Sequence, residues 1–393
     1  FGASTALNRE PEAIDLFCAE TGAALAEAIF LVGDRLAPEV VRRVRLEVER
    51  RIFRPYLAFA RKHWWFTGPL NWNAVCNGAI AVSFLRLCAD PALVAQALEL
   101  ALEGMETYLA TGFEPDGGSI EGIGYWNYGL MYYVVLGEHL HFATEGAIDL
   151  LGDERLKKIA RYPFAVATEP GKYLAFGDAT TDLALEPGVV CRLAERTGTP
   201  ELPGLLVPPQ QLEAKGISKM RLAMVVGDML WWDGRYHDFP QAVFRDCELP
   251  DCGIVKKVGR LDGAPILLTA LAGHTDGHHS HTDVGSVVYS IGGENLIDRA
   301  GHGMSGWVLN WKGNFRKQRY DTLFNNSFGH SVPRIAGLLQ KAGPEFGGSR
   351  QFHGTILGQG ERRGGKYVEL DFARAYDLPI RQARRSLDLD PAS

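Results

Sequence analysis

The 393-residue sequence predicts an α+β protein in which helical hairpins come first and an antiparallel sheet follows. Three observations carry that expectation. Apolar residues recur at helical spacing through the first half, short alternating runs replace them after about residue 217, and a Pro- and Gly-rich stretch at 199–219 lies between. The division places a helical unit at 1–215 and a sheet unit at 216–393.

Residues 11–31 (PEAIDLFCAETGAALAEAIFL) and 37–61 show the helical period, the second with charged residues on its outer face. Residues 73–90 and 91–112 form a pair split at Asp90-Pro91, where Pro91 suits the first helical position and Asp90 its cap. Asp116-Gly117-Gly118 breaks the chain before an aromatic-rich helix at 125–143, and shorter helical stretches follow at 151–161 and 183–197. Consecutive helices with short links stack as antiparallel hairpins. Beyond the linker, 221–227, 253–259, 264–272, 286–291 and 294–298 read as strands, turned by Leu261-Asp262-Gly263 and Gly292-Gly293.

Composition narrows the function. With 46% apolar and 22% charged residues the chain is globular, and a net charge of −6 argues against a general polyanion-binding surface. No nucleic-acid module is identifiable, and no apolar run approaches the ~18–20 residues of a membrane-spanning helix. The six cysteines contain no CxxC pair and read as buried thiols; only Cys247 and Cys252 are close enough for a small disulfide loop. Residues 360–366 have phosphate-loop spacing, but Tyr367 stands where the magnesium-binding Ser/Thr belongs and the setting is a sheet. Neither GxSxG nor HExxH occurs, and no signal peptide is visible in this chain.

Four stretches carry chemistry. In 273–285 (GHTDGHHSHTDVG), His274, His278, His279 and His281 fall within eight residues. On extended backbone His279 and His281 share a face. With Asp298 in NLIDRAG and His330 in NNSFGHS, two histidines and an aspartate make a set suited to zinc or manganese. A solvated histidine-rich loop fits the spacing equally. In 70–78 (LNWNAVCNG), Asn71, Asn73 and Asn77 stand beside Trp72 at a helix start, as caps or as amides aimed at an anion. In 114–129, Tyr125, Trp126 and Tyr128 follow a Gly-rich loop and read as core or as site lining. Trp64, Trp65, Trp307 and Trp311 suit packing or sugar stacking. In 310–320 (NWKGNFRKQRY), Arg316, Lys317 and Arg319 alternate with Phe315 and Tyr320, as a solvated loop or a receptor for an acidic sugar.

Taken in order, NWNAVCNG, EGIGYWNYG, HSHTDVGSVVYSIGGENLIDRAG and the downstream GHS resemble the heparinase II/III-like polysaccharide lyases, whose relatives include alginate, oligoalginate and glycosaminoglycan lyases. The matching blocks span about residues 60–335. The resemblance implies an incomplete (α/α) toroid followed by an antiparallel β-sandwich. It also implies β-elimination of a uronic-acid glycoside, with no water added and a C4–C5 double bond in the product. Such a reaction needs one group to neutralise the C6 carboxylate, one to take the C5 proton and one to protonate O4.

By the same resemblance Asn71 is the carboxylate neutraliser, with Asn73 the second choice and Trp72 beside it. Tyr125 protonates the leaving oxygen, and in a syn elimination also takes the C5 proton; Tyr128 is the alternative tyrosine. His279 is the base or carboxylate partner, and Arg316, Arg319 and Tyr320 form the substrate-contacting loop. His281, Asp298 and His330 hold one divalent ion, zinc or manganese, in a structural role. The implied partner is an anionic polysaccharide or oligosaccharide, and the implied setting a bacterial periplasm or exterior. The chain looks short at both ends against such relatives. Two other readings stand beside this one: an (α/α)-toroid glycoside hydrolase using Glu114, Asp116 and Glu121, and a non-catalytic binder of acidic glycans.

Overall fold

The computed structural model describes residues 13–174, 176–179, 181–207, 222–234, 244–277, 279–299, 319–342 and 350–390. The helical part opens with α1 (Leu16–Val32), capped by Asp15, whose Oδ1 accepts from Cys18 N at 2.8 Å. Helix α2 (Pro38–Val48) runs through a π turn at Glu49–Phe53 into α3 (Arg54–Phe59). Next come α4 (Asn71–Leu87), α5 (Pro91–Thr111) and α6 (Ile123–Ala143). Asp90 caps α5 ahead of Pro91, as expected, accepting from Ala92 N at 2.9 Å.

Helix α4 is buried on nearly all sides because it packs on α1, α5 and α6 at once. Its contact with α5 depends on Gly104, where an added Cβ would lie 2.1 Å from Asn77 Nδ2. A second buried link joins three helices. Glu27 on α1 accepts from Arg86 Nε on α4 at 2.9 Å, and its Oε1 lies 3.1 Å from His139 Nε2 on α6.

Four short helices follow: α7 (Arg155–Ile159), α8 (Tyr162–Val166), α9 (Pro187–Thr197) and α10 (Leu222–Trp231). Helix α10 corrects the sequence reading, which made 221–227 a strand. A short apolar run such as LAMVV does not distinguish strand from buried helix, and here it packs on α9 and α1. Helical structure therefore extends past the expected boundary at 215/216.

Helix α1 corrects another expectation. Leu16–Arg35, with a mean hydropathy of 1.6, is long and apolar enough to cross a membrane by length and composition. Its Ala19, Ala23, Ala26 and Ile29 are nevertheless buried in the helical core, and the ion-paired Glu27 sits among them.

After a small hairpin of β1 (Ala167–Glu169) and β2 (Lys172–Tyr173), an antiparallel meander runs β3 (Cys247–Leu249), β4 (Ile254–Leu261), β5 (Ala264–Leu271), β6 (Val287–Ile291) and β7 (Glu294–Ile297) in that spatial order. A three-stranded sheet places β9 (Gly365–Asp371) between β8 (Thr355–Arg362) and β10 (Arg384–Leu389). Strand alternation on β4 ties the layers together. Ile254 joins the helical core, and Lys256 reaches the carbonyls of Phe164 and Ala167 at the end of α8. Val255, between them, joins a core shared with Val368 and Leu370 of β9. The protein is thus helical in its N-terminal part and built of antiparallel sheets in its C-terminal part. All six cysteines are free, so Cys247 and Cys252 form no loop.

The Glu27 cluster generates a pH-dependent stability. Burial raises the Glu27 pKa, but hydrogen bonds from His139 and Arg86 outweigh it and hold the carboxyl below its ordinary 4.5. A depressed carboxyl contributes stability that is present above the unfolded pKa and is lost as pH falls through the folded one. Glu27→Gln is therefore expected to lower stability by about 1–3 kcal/mol near neutrality. The gap to the native protein should close as pH drops below 4.5. Thermal melts of the two proteins across pH check this, and a gap that widens in acid would contradict it.

Candidate active site

The expected residues converge where the starts of α4 and α6 meet two loops, 176–179 and 277–283. The hub is a residue that the sequence reading did not single out, Asp178. Gly177 (φ +61°) lets the first loop lie flat on the second; a Cβ there would sit 2.5 Å from His279 O. Asp178 N then donates to His279 O at 3.0 Å.

The Asp178 carboxylate collects three cationic or imidazole partners. Oδ2 meets His279 Nδ1 at 2.8 Å and Oδ1 meets His281 Nε2 at 2.9 Å. Arg319 donates to both oxygens, at 3.0 and 2.9 Å, and also to Ser280 O. Burial works to raise the Asp178 pKa, but Arg319 and the two histidines hold it well below the ordinary carboxylate range. Asp178 is therefore an anion in a site that is almost dry.

His279 is fixed on two sides. Its ring stacks on Tyr125, with centroids 3.8 Å apart and planes 16° from parallel. With Nδ1 donated to Asp178, Nε2 is the basic nitrogen; it faces Glu121 Oε1 at 3.5 Å. A carboxylate behind an imidazole in this way orients it for general acid–base work. Tyr125, in the first turn of α6, is half-buried. Burial first, then Asp178 and Glu121, push its phenol far above the usual pKa, so it keeps its proton at neutral pH.

Asn71 is the first residue of α4, but it is no cap. Leu70 precedes it in extended backbone with no side-chain cap, and the open helix end is closed by Glu121 instead. Glu121 Oε2 accepts from Asn71 N at 2.6 Å, and Oε1 accepts from Asn71 Nδ2 at 3.0 Å. Asn71 Oδ1 is buried with no hydrogen-bond partner among the described residues.

Other expected residues are placed differently. Asn73 is fully buried; its amide donates to Phe66 O and Gly68 O and accepts from Asn77. It serves the α4–α5 packing, where a Cβ on Gly104 would lie 2.7 Å from its Oδ1. Arg319, expected at the substrate surface, is instead only 1% exposed because Asp178 and Ser280 engage it. Tyr320 beside it is half-buried, with its hydroxyl 3.5 Å from Ser280 O. Trp72 is half-buried against exposed Trp64, ring centroids 4.9 Å apart. Tyr128 follows Tyr125 by one turn of α6 and is half-buried. Arg316 and His278 lie outside the described residues.

Two of the three residues expected to hold a metal, His281 and His330, lie together in a cluster that could hold an ion. His281 Nδ1 faces His330 Nε2 at 3.2 Å, and the carboxylate that joins them, with all three donor atoms within 4.8 Å of one another, is Asp283. Asp298 is not in this cluster: its oxygens accept from Asn295 Nδ2 at 2.7 Å and Arg299 N at 2.8 Å. The β6–β7 pairing, Tyr289 with Ile297 and Ser290 with Asn295, shifts register one residue before Asp298. The donor set fits a divalent ion. Burial pushes His281 down to about 4 and His330 to about 2, so both are neutral ligands. Burial also raises Asp283 to about 7, a carboxyl that gains from a cation beside it. Asp178, bonded to His281 Nε2, leaves Nδ1 as the nitrogen available to an ion.

No protein-family model and no curated protein matches the sequence. The fold is shared with solved structures. Heparinase III superposes with a TM-score of 0.61 at 13% identity, over 96% of this chain and 53% of that one. The heparinase III that is the BT4657 gene product gives 0.57 at 12%, over 94% and 51%. A mutant of the heparan sulfate lyase HepC from Pedobacter heparinus gives 0.55 at 11%, over 95% and 51%. The chain has a heparinase III-like fold and spans about half the length of the solved structures it matches.

Sequence reasoning missed Asp178 and Asp283 and weighed Glu121 only as a hydrolase carboxylate. For Asp178 the one available signal was a charged residue in the otherwise apolar YLAFGDA. If the histidine pair holds an ion, elemental analysis of the purified protein should find about one divalent metal per chain. His281→Ala and His330→Ala should each lose it and melt lower. Metal-free native protein that melts like the variants would contradict the site.

Proposed function

We propose that this chain is a polysaccharide lyase that cleaves a uronate-containing anionic glycan by β-elimination. The observation that carries the reading is the convergence of Asn71, Tyr125 and His279 on one point, with His279 backed by the ionised Asp178. The heparinase III-like fold supports it. In this reading the helices form an incomplete (α/α) toroid and the two sheets a β-sandwich.

Each residue has one task. The Asn71 amide donates a hydrogen bond to the C6 carboxylate and so stabilises the negative charge that builds there when C5 loses its proton. His279 takes that proton on Nε2, and Asp178 stabilises the imidazolium that results. The electron pair from the C5–H bond forms the C4–C5 double bond as the C4–O4 bond breaks. Tyr125 delivers its proton to O4, a role that suits a phenol held protonated by its surroundings. The proton on His279 then returns to the phenolate through solvent, and no water enters the product.

Trp72 with Trp64 offers an aromatic face for a sugar ring next to Asn71. Tyr128 and Tyr320 are assigned to the substrate side of the site. His281, His330 and Asp283 would hold the divalent ion. When bound, it supplies positive charge that pins the 281–283 turn to the 325–330 loop. The hydrolase alternative is weaker because its carboxylates are engaged. Glu114 pairs with His274 and Arg350, and Asp116 accepts from Gly118, Asp251 and Cys252 amides.

The test is ultraviolet absorbance of unsaturated uronate on heparin, heparan sulfate, chondroitin sulfates, hyaluronan and alginate. A rising signal on at least one is expected. Tyr125→Phe should cut it by about 10²–10⁴-fold without lowering Tm. Full activity in Tyr125→Phe, or new reducing ends without unsaturation, would sink the reading.

A further inference from the structure

We propose that Glu121 is a second carboxylate-binding residue, holding a proton in the substrate complex and donating it in a hydrogen bond to the uronate carboxylate beside Asn71. This deepens the lyase reading and rests on it for the identity of the ligand.

The geometry leads there directly. Glu121 Oε1 already occupies one hydrogen of the Asn71 amide that is assigned to the substrate. Any carboxylate that reaches the second hydrogen of that amide comes close to Glu121. Two carboxylates around one amide in a buried site do not both stay ionised; one keeps a proton. Glu121 is 4% exposed and has no cationic side chain of Lys or Arg against it among the described residues. Asn71 Oδ1, buried and without a partner among the described residues, adds an acceptor that a substrate hydroxyl or a bound acid would fill.

The surroundings agree. Burial is the largest influence on Glu121 and raises its pKa, ahead of the opposing effects of His279 and Asn71. Asn71 faces it from α4, Tyr108 from α5 and Tyr125 from α6. His279 faces it from the 277–283 loop, with Asp178 and Arg319 behind. Glu114, His274, His281 and Asp283 line the same small cavity. Asp178 is already neutralised by its three partners, which leaves Glu121 as the carboxyl next to Asn71 that can take up a proton when substrate arrives. That proton comes from solvent and returns to it when product leaves.

The experiment measures proton uptake on binding. Calorimetric titration of heparan sulfate into Tyr125→Phe, run in buffers of different ionisation enthalpy at about pH 8, reads the protons taken up well above the ordinary carboxyl range. Up to about one proton per binding event is expected, and about none when Glu121→Gln is added. In the otherwise native enzyme, Glu121→Gln should cost less than about tenfold in kcat/KM and flatten the rise of KM with pH. Glu121→Ala should cost more than about 100-fold. Equal uptake with and without Glu121→Gln would overturn the proposal, as would a Glu121→Gln protein that keeps its Tm but loses activity like Glu121→Ala. The two readings fail separately. Unsaturated product with uptake unchanged by Glu121→Gln removes only the role of Glu121. Glu121-dependent uptake without unsaturated product removes the lyase and leaves Glu121 as a carboxylate receptor. Absence of binding to heparin, heparan sulfate, chondroitin sulfates, hyaluronan and alginate alike overturns both.

Discussion

The site depends on one buried anion. Asp178 sits between two imidazoles and a guanidinium, and those partners come from chain segments more than 100 residues away. Desolvating a carboxylate is costly, and only such a set of charged and hydrogen-bonding partners offsets it. The same set orders everything near it. His279 gains its orientation, His281 its tautomer, and Arg319 ties the 319–330 loop down over both. Losing Asp178 would leave Arg319 buried without its counter-charge, so its removal is a structural injury before it is a catalytic one.

The helices supply the opposing wall. Helix α4 is buried on nearly all sides, so its first residue is held as rigidly as its core. The helix end would expose unpaired amides, and Glu121 from the loop before α6 closes it. That one carboxyl therefore links the starts of α4 and α6 and reaches His279 across the gap. Tyr125 then stacks on His279. A site of this kind sits at helix starts and loop ends, with the packed interior used only to fix positions.

Much of this was legible in the sequence. Helical periodicity followed by alternation gave the order of the parts, and Asp90-Pro91 marked a helix start to the residue. Resemblance in short motifs pointed to Asn71, Tyr125 and His279, and the structure gathers all three. What stayed hidden depends on approach in space. Asp178 has no motif of its own, because its role exists only once Gly177 lets one loop lie on another. Arg319 was visible as a charge, but nothing in its neighbours said that its partner was buried. The carboxylate beside His281 and His330 is Asp283, two residues from His281, while Asp298 bonds to Asn295 and Arg299; which carboxylate approaches the pair is set by chain approach in space, which no periodicity reports. Helix α10 was misread because a five-residue apolar run is compatible with either kind of burial.

The central claim is elimination, and the most direct measurement follows the fate of water. The candidate glycans are incubated with the protein in water enriched in heavy oxygen, and any products are weighed by mass spectrometry. The account requires that no heavy oxygen enter the new chain ends and that each cleavage yield one fragment lighter by a water than a hydrolysis product. Heavy oxygen at the new reducing ends, with no mass deficit, would show hydrolysis and contradict it.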